Sequence, residues 1–289
     1  MKKILVTGGA GFVGSNLIKR LRIDYPDAEI TSYDNYFTGK KENHVEGVKY
    51  LTGDTWDITY AFSNDKGTFD LVYHFGEYSR IVKSFDDVAY VNQTILGGTP
   101  KVLELCRRWG AKLIYSASSS KFGNNGKDEN LSPYSWAKAK MVELIKNYGE
   151  WFDLDYEICY FFNVYGPGQI TAGDYATVIG IFERQKSEGV PLTVVYPGTQ
   201  TRDFTHINDI VSGLIAASKV SYNGEWHLRF GKEYSILQVA EMFQHPYEIV
   251  PERRGERLSS AKIETQTESI LGWKPTHSLE YWISKINLD

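Results

Sequence analysis

Apolar positions in the first half of the chain fall into short continuous runs separated by stretches of helical period. Lys3–Thr7 is a β-branched run, and residues 15–25 carry Leu17, Ile18 and Leu21 at helical spacing. Strand-like runs recur at 29–33, 48–51, 69–75, 112–116 and 156–162, with helical patterns around 102–109 and 134–152. Leu71, Val72 and Tyr73, like Leu113, Ile114 and Tyr115, are uninterrupted triplets, as expected of parallel strands covered on both faces. Strand, helix and strand in repetition imply right-handed crossovers and an α/β fold with a doubly wound parallel sheet. Beyond about residue 166 the rhythm breaks up. A helix-like stretch at 176–187, a strand-like one at 192–196 and a helix near 209–218 precede short mixed elements interrupted by Pro246, Pro251 and Pro275. The expected division is a doubly wound unit at 1–165, rejoined by 201–222, and a smaller mixed α/β cap occupying most of 166–289.

Composition narrows the class. The 289 residues are 42% hydrophobic and 24% charged, with nine prolines and no biased tract, which excludes disordered and collagen-like chains. No apolar run approaches the roughly 20 residues needed to span a bilayer. The apolar opening runs directly into Gly8, Gly9 and Gly11 without a cleavage-site pattern. Cys106 and Cys159 lie in apolar stretches and suit a reducing compartment. A net charge of -4 and a pI near 5.9 give no pull toward nucleic acid or anionic membrane. The expectation is a cytoplasmic globular protein with no nucleic-acid or membrane partner, and no residue is assigned to a metal.

The chemistry starts at Gly8-Gly9-Ala10-Gly11-Phe12-Val13-Gly14, between a strand and a helix. Glycines there serve a tight turn, backbone approach to a pyrophosphate, and close helix–sheet packing, while the helix N-terminus offers free amides. Asp34 ends the second strand twenty residues after Gly14; its carboxylate suits ribose hydroxyls and repels a 2′-phosphate, which favours NAD over NADP. Asp54, ending the third strand, suits either the adenine amino group or an ordinary helix N-cap.

Ser132-Pro133-Tyr134-Ser135-Trp136-Ala137-Lys138 reads as a helix start, with Ser132 as N-cap and Pro133 in the first position. Tyr134 and Lys138 then share one face, and an ammonium beside a phenol favours the phenolate, a general base. On most helices the same spacing is only a half-buried ring beside a solvated lysine. The serine-rich segment 115–123 ends a strand, and strand C-termini in such sheets face the ligand crevice. Ser118 there can hold a substrate oxygen, or the serines can merely satisfy turn amides.

Together, Thr7 to Gly14, Asp34, Ser118, Tyr134 and Lys138 resemble the extended short-chain dehydrogenase/reductases, and within them the nucleotide-sugar epimerases and dehydratases, over nearly the whole length. The resemblance implies a Rossmann-type sheet with a substrate-binding cap, and NAD held by Gly8, Gly11, Phe12, Val13, Gly14, Asp34, Asn35, Asp54, Phe75, Tyr134 and Lys138. It also implies Ser118, Tyr134 and Lys138 as the catalytic set. A nucleotide-diphosphate sugar would be bound by Ser118, Asn163 of the Asn-Val-Tyr-Gly-Pro-Gly segment, Arg202 of Thr-Arg-Asp-Phe-Thr-His, and Arg257. A homodimer through the helices at 102–109 and 134–151 is implied as well.

Within that resemblance, 4,6-dehydratases carry an Asp-Glu pair just after the catalytic hydroxyl, where this chain has Ser119 and Ser120. Decarboxylases keep a glutamate there, and fucose-synthase types place a cysteine in the strand end; neither is present. Oxidation and re-reduction at sugar C4 remain, giving a 4-epimerase. A nucleotide-sugar 4-dehydrogenase, ketoreductase or atypical dehydratase, and more remotely a non-enzymatic NAD-responsive binding protein, stay open. The unusual feature is His74-Phe75-Gly76-Glu77, where the family commonly has His-x-Ala-Ala. Glu77 near the nicotinamide and Lys121, in place of an apolar residue, are expected to pair and reshape the sugar pocket or supply an acid–base group, or else to be exposed charges.

Overall fold

In a computed structural model the described residues are 2–63, 69–122, 128–259 and 265–288; Gly123, the last of the serine-rich segment, lies outside them. Strands β1 (Lys3–Thr7), β2 (Glu29–Asp34), β3 (Lys49–Thr52), β4 (Leu71–His74), β5 (Lys112–Ser118) and β6 (Tyr156–Phe161) join Glu225–Leu228 in a seven-stranded sheet. Its order is Glu225–Leu228, β6, β5, β4, β1, β2, β3, and every pairing is parallel. The chain runs outward from β1 to β2 and β3, then returns to place β4 on the other flank of β1. That reversal opens a crevice above the carboxyl ends of β1 and β4, where Rossmann-type sheets hold their ligands.

Period-two alternation decides which helices cover which face. Ile4 and Val6 of β1 point to one side, where Leu17, Ile18 and Leu21 of the helix Phe12–Asp24 meet Ile210 and Leu214 of the helix Ile207–Ala217. Leu5 points the other way, into a core with Val72, Leu113 and Tyr115 and with Val102, Leu103, Val142 and Ile145 of the helices Thr99–Trp109 and Pro133–Phe152. A third core gathers Tyr165, Phe182, Leu192, Val194, Phe204 and Phe243, over which Leu192–Val195 pairs with Tyr247–Val250. The helices Val178–Ser187, Ile236–Met242 and Leu279–Ile286 complete this smaller layer.

The periodic pattern places the strands and long helices to within a few residues. One stretch behaves differently: the helix read at 102–109 begins earlier, running through Val88–Val91 and a π-helical Asn92–Gly98 into Thr99–Trp109. Gly97 and Gly98 lie within this continuous helical stretch. A Cβ on Gly98 would sit 2.2 Å from Thr55 Oγ1, so glycine there reflects close packing and not a break. Ser132 caps the helix Pro133–Phe152 as expected, its Oγ accepting from Ser135 N at 3.1 Å.

Gly14 makes the tightest demand on the nucleotide loop, since a Cβ would stand 2.2 Å from the Gly8 carbonyl oxygen and 2.7 Å from Gly9 Cα. Both neighbours are backbone and cannot swing away. Gly14→Ala is therefore expected to destabilise by about 2–3 kcal/mol through overpacking, read as a lower midpoint in urea. An unchanged midpoint would show that the loop tolerates the displacement.

Candidate active site

A cleft of about 540 Å³ lies over the carboxyl ends of the central strands and beneath the smaller layer. At its nucleotide end Gly8 has φ +70°, and a Cβ there would lie 2.8 Å from the Phe75 carbonyl carbon. Gly11 is the N-cap of Phe12–Asp24 and brings no side chain to the first-turn amides, which lack intrahelical acceptors. Gly8, Gly11, Phe12, Val13, Asp34, Asn35 and Phe75 all line the cleft, whereas Gly14 lies inside the helix–strand contact. The buried Asp34 carboxylate accepts from Ala10 N at 2.9 Å and Tyr36 N at 2.8 Å; burial raises its pKa, and these backbone bonds oppose the rise. A bare helix N-terminus, a turn without room for side chains and a carboxylate at the end of β2 fit a dinucleotide.

Asp54 occupies the N-cap position before the turn Thr55–Asp57. It makes no side-chain cap to the turn Thr55–Asp57 and is not among the cleft-lining residues. Its Oδ1 accepts from Asn35 Nδ2 at 2.6 Å, and Asn35 also reaches the Tyr90 hydroxyl at 3.1 Å. Asp54 thus orients Asn35 from behind.

At the other end, β5 delivers Ser118 and the first turns of Pro133–Phe152 deliver Tyr134 and Lys138 to the same cleft. The Ser118 hydroxyl lies beside the Tyr134 phenol, near enough to favour its ionised form. Burial pushes Tyr134 up to about 12; Ser118 and the Arg80 guanidinium pull it down, and the Glu77 carboxylate adds to the rise. The expectation that Lys138 acidifies Tyr134 is corrected here. The Lys138 ammonium bonds instead to the Glu77 carboxylate and the Ser116 carbonyl, lying 4.2 Å from the centre of the Tyr115 ring.

The expected pairing of Glu77 with Lys121 is corrected as well. Lys121 lies 5.8 Å from the Phe122 ring centre and acts electrostatically on Glu225 and His227, away from Glu77. The Glu77 side chain is only 3% exposed. It receives Lys138 on Oε2, and the Thr99 hydroxyl and the Tyr115 hydroxyl (3.1 Å) on Oε1. Donor accounting fixes the direction of the chain behind it. Thr7 Oγ1 already accepts from the amides of Phe75 (3.1 Å) and Gly76 (3.0 Å), so its own proton goes to His74 Nδ1 at 2.6 Å. His74, held neutral because burial lowers it to about 4, then carries its proton on Nε2 and donates to Thr99 Oγ1 at 3.1 Å. Thr99 passes its own proton to Glu77. Every dipole points at one carboxylate. Sequence patterning singled out Glu77 but not Thr7, His74, Thr99 and Tyr115 as its supports, because they come from three strands and a helix.

Toward the smaller layer, Asn163 (φ 24°) lines the cleft and donates through Nδ2 to the Asp203 carbonyl at 2.8 Å. Arg202 bonds to the Glu256 carboxylate and to the Thr201 carbonyl at 2.7 Å. Arg257 is buried and donates to the Ser119 carbonyl at 3.0 Å, which puts it beside the serine-bearing strand end. Arg80, cleft-lining and close enough to act on Tyr134, was not singled out in the sequence.

Comparison with known proteins agrees with this geometry. UDP-glucuronic acid decarboxylase 3 of Arabidopsis thaliana is 29% identical, over 94% of this chain and 84% of its own. The crystal structure of a UDP-glucose 4-epimerase from Thermotoga maritima with UDP-glucose has a TM-score of 0.91 and 25% identity, covering 99% of this chain and 97% of that one. A UDP-N-acetylglucosamine 4-epimerase from Methanobrevibacter ruminantium gives a TM-score of 0.88 and 26% identity, covering 99% and 97%. Residues 4–227 match a single family along the sheet, the nucleotide loop and the Ser118–Tyr134–Lys138 set, and the chain belongs to the NAD dependent epimerase/dehydratase family.

Proposed function

We propose that this protein is an NAD-dependent nucleotide-sugar 4-epimerase. The observation that carries the reading is the Ser118–Tyr134 pair in the cleft, followed by Ser119 and Ser120, with no second acid–base pair at the strand end. Eliminating water needs another acid and base, whereas moving hydrogen on and off one carbinol needs only a single proton-transferring group. Glu77, the unexpected acid, is committed to Lys138, Thr99 and Tyr115, which argues against its use in an elimination. When bound, NAD supplies the acceptor for the C4 hydride and, once reduced, its donor. The chain's own part is to hold the sugar's O4 on the Ser118 hydroxyl, take the O4 proton on Tyr134, and return it after the 4-keto sugar has turned over. Asn163, Arg202 and Arg257 are proposed to anchor the diphosphate during that turn. A homodimer through Thr99–Trp109 and Pro133–Phe152 is supported by the exposed rings of Trp151 and Phe152 at the end of the second helix.

One observation favours a second reading. Burial raises Tyr134 to about 12, which favours the neutral phenol, and a proton donor at this position suits reduction of a 4-keto sugar. A ketoreductase would use the same residues with a cofactor that dissociates.

Acid precipitation of fresh protein, followed by chromatography with mass detection, separates the two. Near-stoichiometric NAD supports the internal cycle, and an empty protein moves the assignment to the reductase. With UDP-, dTDP- and GDP-hexoses followed by proton NMR, Tyr134→Phe is expected to slow C4 inversion about 10³-fold and Ser118→Ala about 10²-fold. Full inversion by Tyr134→Phe would sink the assignment.

Glu77→Gln gives a pH test. Removing the carboxylate takes away a charge that opposes the phenolate, which lowers the Tyr134 pKa. The acidic limb of kcat/KM should move to lower pH by about one unit. A limb that stays in place would show that Glu77 acts only through structure.

A further inference from the structure

Two buried donors beside the Ser118–Tyr134 pair have no hydrogen-bond partner: Arg80 Nε and Ser120 Oγ. Both residues line the cleft. Ser120 is tied to the pair by its backbone amide, which donates to Ser118 Oγ at 3.2 Å. Arg80 is close enough for its charge to act on Tyr134.

Arg80 differs from the buried cations of this cleft that carry a carboxylate partner. Lys138 has Glu77 and Arg202 has Glu256. Arg80 donates through Nη1 to its neighbour's carbonyl, Ser79 O, at 3.1 Å and lies 6.0 Å from the centre of the Tyr175 ring. The groups acting on it electrostatically are three tyrosines, Tyr134, Tyr175 and Tyr78. Among the described residues no carboxylate forms an ion pair with it. A guanidinium keeps its charge at any physiological pH, so it cannot relieve burial by losing a proton. Leaving such a fork unpaired is costly unless a ligand completes it, and planar carboxylates match its geometry.

We propose that Arg80, assisted by Ser120, is the recognition site for a carboxylate on the sugar, so that the substrate class of this chain is the nucleoside diphosphate uronates. The inference rests on the nucleotide-sugar reading above. If Tyr134 works at C4, the C6 group of a hexose hangs from the neighbouring ring carbon, within the same end of the cleft. A hydroxymethyl group there leaves the guanidinium uncompensated, whereas a C6 carboxylate gives the fork its partner and the Ser120 hydroxyl an acceptor.

The test is calorimetric titration of the protein as purified with UDP-glucuronate and UDP-glucose, which differ only in the oxidation state of C6. Binding is the readout because the Arg80 charge also acts on Tyr134 and would confound turnover. The wild type should bind the uronate at least about tenfold more tightly. Arg80→Gln should erase that preference while leaving the affinity for UDP itself unchanged, which also shows that the variant is folded. Arg80→Lys should keep part of the preference, since it retains the charge without the fork. Equal affinity for the two sugars in the wild type, absence of binding to both included, overturns the proposal. So does a loss in Arg80→Gln that falls equally on both sugars, because that would make Arg80 a diphosphate ligand. A preference for the uronate without inversion at C4 would keep this inference and remove the epimerase reading. Inversion of UDP-glucose with no preference would do the reverse.

Discussion

The buried ion pair of Glu77 and Lys138 is the interaction on which the site's arrangement depends. It joins the loop after β4 to the helix Pro133–Phe152, at a depth where both side chains are almost wholly removed from water. Such a pair gains little net stability, but losing one member strands the other and costs about 3–5 kcal/mol. Its value is therefore in geometry. Lys138 is fixed under the Tyr115 ring and on the Ser116 carbonyl, and Tyr134, one helical turn earlier, is left to Ser118 and Arg80. The relay from Thr7 through His74 and Thr99 keeps the carboxylate supplied with donors.

The same relay connects the two ends of the cleft. Thr7 ends β1 immediately before the Gly8 turn, and its hydroxyl oxygen holds the amides that follow β4. The parallel register brings this about by setting Thr7 opposite His74 and His74 opposite Tyr115. The nucleotide turn, the Glu77 loop and the strand that leads to Ser118 are thus three neighbours on one sheet edge. The doubly wound topology supplies that adjacency, and the side chains exploit it.

Much of this was legible from local pattern. Alternation and uninterrupted apolar runs located the strands, and Ser132 with Pro133 marked where the Tyr134 helix begins. The glycine spacing named the nucleotide turn because steric demands of that kind act over a few residues. What sequence could not supply was pairing at a distance. Glu77 stood out as unusual, yet its partner was expected to be Lys121 when it is Lys138, 61 positions away. Both lysines are near the strand end in sequence terms, and only the packing of helix against sheet separates them. Asp54 was read for its own chemistry, and its bond to Asn35, 19 positions away, was not foreseen. Arg80 went unremarked because a guanidinium in the cleft with no carboxylate beside it is a property of the folded chain.

The bond from Arg257 to the Ser119 carbonyl has a consequence in time. These residues are 138 positions apart, and the bond ties the strand end that carries Ser118 to a segment made long after it. Contacts of such long separation are costly to close early, so they tend to form late. The sheet and its nucleotide turn draw mainly on shorter-range strand pairings, whereas the wall beside Ser118 waits for the C-terminal segment to arrive. A partly synthesised or C-terminally nicked chain would in that case hold its cofactor turn intact while leaving the sugar end of the cleft unfinished, so that competence to bind and competence to react are acquired at different moments in the life of the molecule.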